Sequence, residues 1–130
     1  MAGYSGTPLP KKLGIKAGIR VLLMDCPASV LAELKDALAG SNQGAPLDFA
    51  MVFVKKQADL KKQFTRVEKQ LAPAGMFWVS WPKKSSGVAS DLDENIVRKI
   101  GLDAGLVDIK VCAVDETWSG LKFVRRKADR

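Results

Sequence analysis

The segment Phe49-Ala50-Met51-Val52-Phe53-Val54 is apolar at every position, and a strand without polar alternation has to be covered on both of its faces. That single demand calls for a layered α/β arrangement. Residues 20–24 and 76–81 are strands of the same apolar kind, and helical patterns separate the three. Residues 29–39 carry Val30, Leu31, Leu34 and Leu38 on one face, with Gly40 placed to end the helix. Residues 57–72 show Leu60, Phe64, Val67 and Leu71 as one stripe, with Lys61, Lys62, Arg66 and Lys69 around it and Pro73-Ala74-Gly75 as the stop. Ser90 is placed to cap a third helix, whose first turn holds Asp91, Asp93 and Glu94 where the positive helix end favours them. Leu92, Ile96, Val97 and Ile100 give that helix its apolar face, and it ends around residues 101–105.

Residues 108–115 and 121–126 read as strands, and the link Glu116-Thr117-Trp118-Ser119-Gly120 is too short for a parallel crossover. The last two strands are therefore antiparallel. The expected fold is a single Rossmann-like α/β domain, with a five-stranded, mostly parallel sheet, three main helices and a C-terminal antiparallel hairpin. A chain of 130 residues is the size of one such domain. Residues 1–12 form an N-terminal arm, with Gly, Ser, Thr and Pro from Tyr4 onward, followed by a short helix or turn ending near Gly14.

Right-handed crossovers that step in one direction along a sheet put their helices on one face. The second face then needs another cover, either the arm or a second subunit, so a homodimer is expected. The alternative is a short extra strand within residues 42–47, which sends the first helix to the opposite face.

The sequence has no histidine, which removes Ser-His and Cys-His nucleophile activation, imidazole acid/base catalysis and imidazole metal ligation together. Cys26 and Cys112 match no metal spacing and are too few for a disulfide scaffold. Neither a signal-like N-terminus nor an apolar run approaching the ~18 residues of a membrane span is present. A bacterial-type cytoplasmic protein without membrane association is the expectation. The net charge of +7 favours anionic partners without naming one.

Open α/β sheets bind ligands beyond the carboxyl ends of their strands. That edge collects Asp25-Cys26, Lys55-Lys56, Lys83-Lys84-Ser85-Ser86 and Asp115-Glu116. Four lysines and two hydroxyls near a helix N-terminus suit a phosphate or carboxylate, against the plainer reading of solvated loop lysines and turn serines. Asp115, Glu116 and Trp118 can stack on and hydrogen-bond a base or sugar, although a structural turn with an anchoring indole is favoured. Trp78 belongs to the core, while Trp81, at the strand end, can line the crevice. Cys26 sits where a helix N-terminus lowers a thiol pKa, yet without a histidine base both cysteines read better as small apolar fillers.

Residues 11–24 resemble the entry to a methyltransferase-like α/β domain, and the element order resembles the later half of its sheet. Where such enzymes keep a glycine-rich loop, this chain has Asp25-Cys26-Pro27-Ala28, and without glycines the backbone cannot close around a nucleoside. No cofactor is expected on this ground. The segments Tyr4-Ser5-Gly6-Thr7-Pro8-Leu9, Lys11-Lys12-Leu13-Gly14-Ile15-Lys16, Trp81-Pro82-Lys83-Lys84-Ser85-Ser86-Gly87 and Asp115-Glu116-Thr117-Trp118-Ser119-Gly120-Leu121 resemble an uncharacterised bacterial family of domains of unknown function. The likeness extends over essentially the whole chain and implies a compact α/β protein without implying an activity. The stretch after Gly40 departs from that family in being shorter and less strand-like. The expected function is a non-catalytic module binding a phosphorylated small molecule or nucleic acid at the carboxyl edge. The alternatives are a degenerate or divergent methyltransferase-like enzyme and a structural interaction partner.

Overall fold

The computed structural model describes residues 7–130. Tyr4, Ser5 and Gly6 of the expected arm lie outside these residues. In chain order the elements are α1 (Leu9–Leu13), β1 (Val21–Met24), α2 (Ala28–Leu38), β2 (Leu47–Phe53), α3 (Gln57–Glu68), β3 (Leu71–Pro82), α4 (Glu94–Asp103), β4 (Leu106–Ala113) and β5 (Trp118–Arg125). Short 3-10 turns occupy Lys84–Ser86 and Lys127–Asp129. The sheet runs β1-β2-β3-β5-β4. Strands β1, β2 and β3 are parallel, and β5 is antiparallel to both neighbours.

Two apolar clusters, one on each face, satisfy the double-covered strands. Leu60, Phe64 and Val67 of α3 and Val97 and Ile100 of α4 pack with Ala50, Val52, Phe77, Val79 and Phe123. Phe64 is edge-on to both Phe77 and Phe123, at centroid distances of 5.0 and 5.1 Å. Leu9 and Leu13 of α1 and Val30 and Leu34 of α2 pack with Phe49, Met51 and Trp78 on the other face. The indole of Trp78 is fully buried and donates to the Leu13 carbonyl at 2.9 Å, which holds α1 down.

The placement of α2 comes from one residue. Asn42 donates its amide to the Ile19 carbonyl at 2.8 Å and accepts from Val21 at 2.9 Å, making a parallel bridge to Arg20. Arg20 turns its own carbonyl the other way, to the amides of Asp48 and Phe49. Asn42 therefore lies on the side of β1 away from β2. The chain leaves α2 as if for a strand beyond β1, then returns to β2, so the right-handed crossover carries α2 to the face opposite α3. In place of the short extra strand expected as the alternative within residues 42–47, the described residues hold an isolated bridge at Asn42 that has the same effect on α2, and the face that called for a second subunit is covered over β1–β3 by α1 and α2.

Several boundaries differ from expectation for identifiable reasons. Helix α3 stops at Glu68, and Leu71 of its expected stripe is instead the first residue of β3, paired with Leu47. The guanidinium of Arg125 closes this helix end by donating to the Leu71 carbonyl at 2.7 Å and to the Glu68 carbonyl. Ser90 does not cap α4. That role belongs to Asp93, which accepts from Ile96 N at 2.9 Å, while Ser90 Oγ donates to the Lys55 carbonyl at 2.7 Å. Strand β4 begins two residues early, and Trp118 heads β5 opposite Pro82 rather than sitting in the link. Among the described residues no helix is long and apolar enough to cross a membrane.

Gly101 lets α4 press onto β5, because a Cβ there would overlap the Phe123 ring. Gly101→Ala should therefore lower the urea-unfolding free energy by about 1–3 kcal/mol, as overpacking does. An unchanged midpoint would mean that α4 does not sit this close.

Candidate functional site

In an open α/β sheet the crevice forms where successive crossover helices diverge to opposite faces. Here that point lies between the carboxyl ends of β1 and β2, because α2 goes to one face and α3 to the other. A cleft of about 630 Å³ occupies it, lined by Asp25 and Pro27 after β1, by Phe53, Val54, Lys55 and Lys56 at the end of β2, by Asp59, Lys62 and Gln63 of α3, and by Trp118 of β5. The floor is aromatic. Phe53 meets Trp118 edge-on, with centroids 5.2 Å apart and planes at 85°.

The walls are charged and polar. Among the described residues, Lys55, Lys56 and Lys62 take part in no ion pair, and neither do Asp25 and Asp59. Gln63 contributes a buried side-chain oxygen without a hydrogen-bond donor. A buried acceptor left unsatisfied costs free energy that a donor on a bound molecule recovers.

The two helix N-termini at the cleft differ. At α3 the first amide, Gln57 N, donates to Asp91 Oδ1 at 2.8 Å, and Gln57 Nε2 donates to the Asp91 carbonyl at 3.0 Å. A protein carboxylate thus already occupies that end. Helix α2 starts after Pro27, whose ring has no polar atom to cap it, and among the described residues its amide end has no side-chain partner. The turn before it passes through Asp25 with φ of 57°, the left-handed conformation that Asp tolerates better than most residues.

Four of the residues singled out from sequence meet in the cleft: Asp25, Lys55, Lys56 and Trp118. Lys83, Lys84, Ser85 and Ser86 lie on the same sheet edge but do not line it, and two of them serve the local turn. Lys83 N donates to the Thr117 carbonyl at 2.7 Å, and Ser86 Oγ donates to the Lys83 carbonyl at 2.6 Å while accepting from Val88 N. Asp115 Oδ1 accepts from both Thr117 N and Trp118 N at 2.8 Å, so it fastens the β4–β5 turn, and Glu116 is exposed beside it. Trp81, expected at the crevice, is 5% exposed and packed in the core beneath α3 and α4. Its position in β3 points it to that face, a consequence of strand alternation.

Asp59, Lys62 and Gln63 were missed. Lys62 and Gln63 follow Asp59 by three and four residues, which places all three along one edge of α3, a signal hidden because Lys62 also fits a solvated face. Among the described residues no group of His, Cys, Asp and Glu could hold a metal ion.

Burial pushes the Cys26 thiol up to about 11 from 9.0, and its Sγ donates to the Pro27 carbonyl at 3.6 Å. The helix start does not activate it, which agrees with the filler reading. Burial also raises Cys112, opposed by Lys12 and Lys110.

No family model and no curated protein matches the chain. Solved structures do. A putative methyltransferase from Thermoplasma acidophilum is 10% identical, with 98% of this chain and 77% of that chain covered at a TM-score of 0.57. Magnesium protoporphyrin IX methyltransferase from Synechocystis, solved with S-adenosylmethionine (SAM) bound, is 11% identical, covering 91% of this chain and 74% of that one at 0.59. A TehB-like SAM-dependent methyltransferase from Corynebacterium glutamicum is 8% identical, covering 95% and 90% at 0.58. The fold is methyltransferase-like. At these identities the likeness extends to the fold alone, and the signatures of the bacterial family named above gain nothing from it.

The thiol environment gives a direct test. On a Cys112→Ser background, iodoacetamide should label Cys26 about 100-fold more slowly near neutral pH than an unperturbed thiol, since the shift from 9.0 to about 11 removes that share of thiolate. The folded state keeps a proton that the unfolded chain loses above pH 9.0, so the Cys26 contribution to stability is complete below that pH and fades as pH rises toward about 11.

Proposed function

We propose that this chain is a non-catalytic binding module that takes a phosphorylated ligand in the cleft between β1 and β2. The observation that carries this reading is the set of ammonium groups of Lys55, Lys56 and Lys62, without an ion-pair partner among the described residues, around a cleft that Pro27, at the start of α2, also lines. Both supply charge and N–H donors of the kind that phosphate oxygens accept. The buried Gln63 oxygen and the carboxylates of Asp25 and Asp59 ask for hydrogen-bond donors on the same molecule, as hydroxyl or amino groups provide. Trp118 over Phe53 offers a flat apolar contact for a ring.

Catalysis is disfavoured by the chemistry present. The chain lacks histidine, and its one cleft-edge thiol is held protonated. The second reading, a divergent methyltransferase, draws on the fold of the neighbours and on the SAM bound in one of them. Against it stands the turn Asp25-Cys26-Pro27, whose side chains occupy the place where glycines let a backbone approach a nucleoside.

Calorimetry with adenosine monophosphate, pyrophosphate, a short oligothymidylate and SAM separates these readings. The phosphorylated probes should bind, and Lys55→Ala/Lys56→Ala should weaken them by about tenfold or more, the loss expected from removing charge-assisted hydrogen bonds. The melting temperature should hardly move, because exposed lysines contribute little to folding. Lys61→Ala/Lys69→Ala, away from the cleft, serves as control. Tight SAM binding accompanied by methyl transfer would sink the non-catalytic reading, and failure of every phosphorylated probe would sink the phosphate.

A further inference from the structure

Among the described residues, the two-helix cover of the second face ends before the far edge of the sheet. There Lys110 of β4 and Lys122 of β5 are directly opposite in the antiparallel ladder. On its other side Lys122 is paired with Trp78, whose ring is buried under α1. Both lysines therefore lie on the α1 face, at the margin of α1. Lys12 of α1 reaches the same place, donating Nζ to the Ala113 carbonyl at 3.1 Å, while Lys110 Nζ donates to the Lys12 carbonyl at 3.2 Å. The lysines come from three elements, and the charged groups acting on Cys112 and Lys122 there are lysines as well.

Like charges placed directly opposite in a sheet are destabilising. A lysine on an edge strand has an ordinary purpose, since it discourages pairing with another chain, and that accounts for Lys110. It does not account for Lys122, which is on an interior strand, is half-buried, and donates to no protein acceptor among the described residues. Burial and the neighbouring Lys110 both disfavour its charge.

We propose that Lys110 and Lys122, with Lys12 at the margin, form a second anion site that takes a phosphate group. A phosphate oxygen between the two strands accepts from both ammonium groups and turns the like-charge repulsion into two charge-assisted hydrogen bonds. This site lies on the sheet face, separate from the cleft at the carboxyl ends of β1 and β2, and does not depend on the reading of that cleft.

The test follows backbone amide shifts by NMR while pyrophosphate, and separately a short oligothymidylate, is added to the full chain. Saturable shifts at Lys110, Cys112 and Lys122 are expected. Lys122→Gln should weaken them by about tenfold or more, Lys122→Arg should retain them, and Lys55→Ala/Lys56→Ala should leave them in place. Response to pyrophosphate identifies the source as a free phosphate compound. Response to the oligonucleotide alone, falling with added salt, identifies a nucleic-acid backbone. A second readout works on a Cys26→Ser background: bound phosphate offsets the lysines near Cys112 and slows its alkylation. Absence of saturable shifts with both probes, or shifts indifferent to Lys122→Gln, overturns the proposal.

Discussion

The bridge between Asn42 and Arg20 decides how the rest of the molecule is arranged. Strands β2 and β3 bury apolar side chains on both faces, and such strands are stable only between two layers. If the chain passed directly from α2 to β2, α2 and α3 would share a face by the handedness of the crossover. The detour through Asn42 takes α2 to the other side of the sheet, where it joins α1 over Phe49, Met51 and Trp78. The same divergence of α2 and α3 opens the cleft. Core coverage and the candidate site are thus two results of one backbone pairing.

That cleft is not a simple basic pocket, and its mixed character follows from how each helix start is satisfied. Asp91 reaches back from the loop before α4 to the first amide of α3, and Ser90 and Asp91 N both bond the Lys55 carbonyl. The loop is therefore a structural clamp on the end of β2, which keeps Lys55 and Lys56 at the mouth of the cleft. Helix α2 receives no such cap. Positive potential at the cleft accordingly comes from the amide end of α2 and from the lysines, and negative potential from Asp25 and Asp59.

Element type and order were legible in the sequence wherever long apolar patterns decide them: the three double-covered strands, the helices of residues 29–39 and 57–72, and the antiparallel end. Features carried by one residue were not. The Asn42 bridge involves a single pair and leaves no periodicity, so it entered only as a way to reconcile the helix count with the strands. Leu71 continues the α3 stripe in sequence, yet its pairing with Leu47 outweighs local helical preference. Ser90 and Asp93 are both good caps, and the choice between them depends on the reach of Ser90 to Lys55. At the site, Lys55, Lys56 and Trp118, grouped in the sequence by their place on the sheet edge, line one cleft. Trp81 shows the limit of that reasoning, since its face is set by strand phase.

The net charge of +7 acquires a location once the acidic residues are followed individually. Asp48 accepts from Arg20 N, Asp91 and Asp93 serve helix starts, and Asp115 holds the hairpin turn. Glu94 and Asp108 flank Arg98, Glu68 pairs with Arg125, and Asp103 pairs with Lys99. These carboxylates are engaged in backbone capping or local ion pairs. Lysines at the cleft and Lys122 on the sheet face have no such partner among the described residues. Part of the positive charge is therefore left at the cleft and on the β4–β5 face without a carboxylate partner among the described residues, where it raises the local potential instead of holding the protein together.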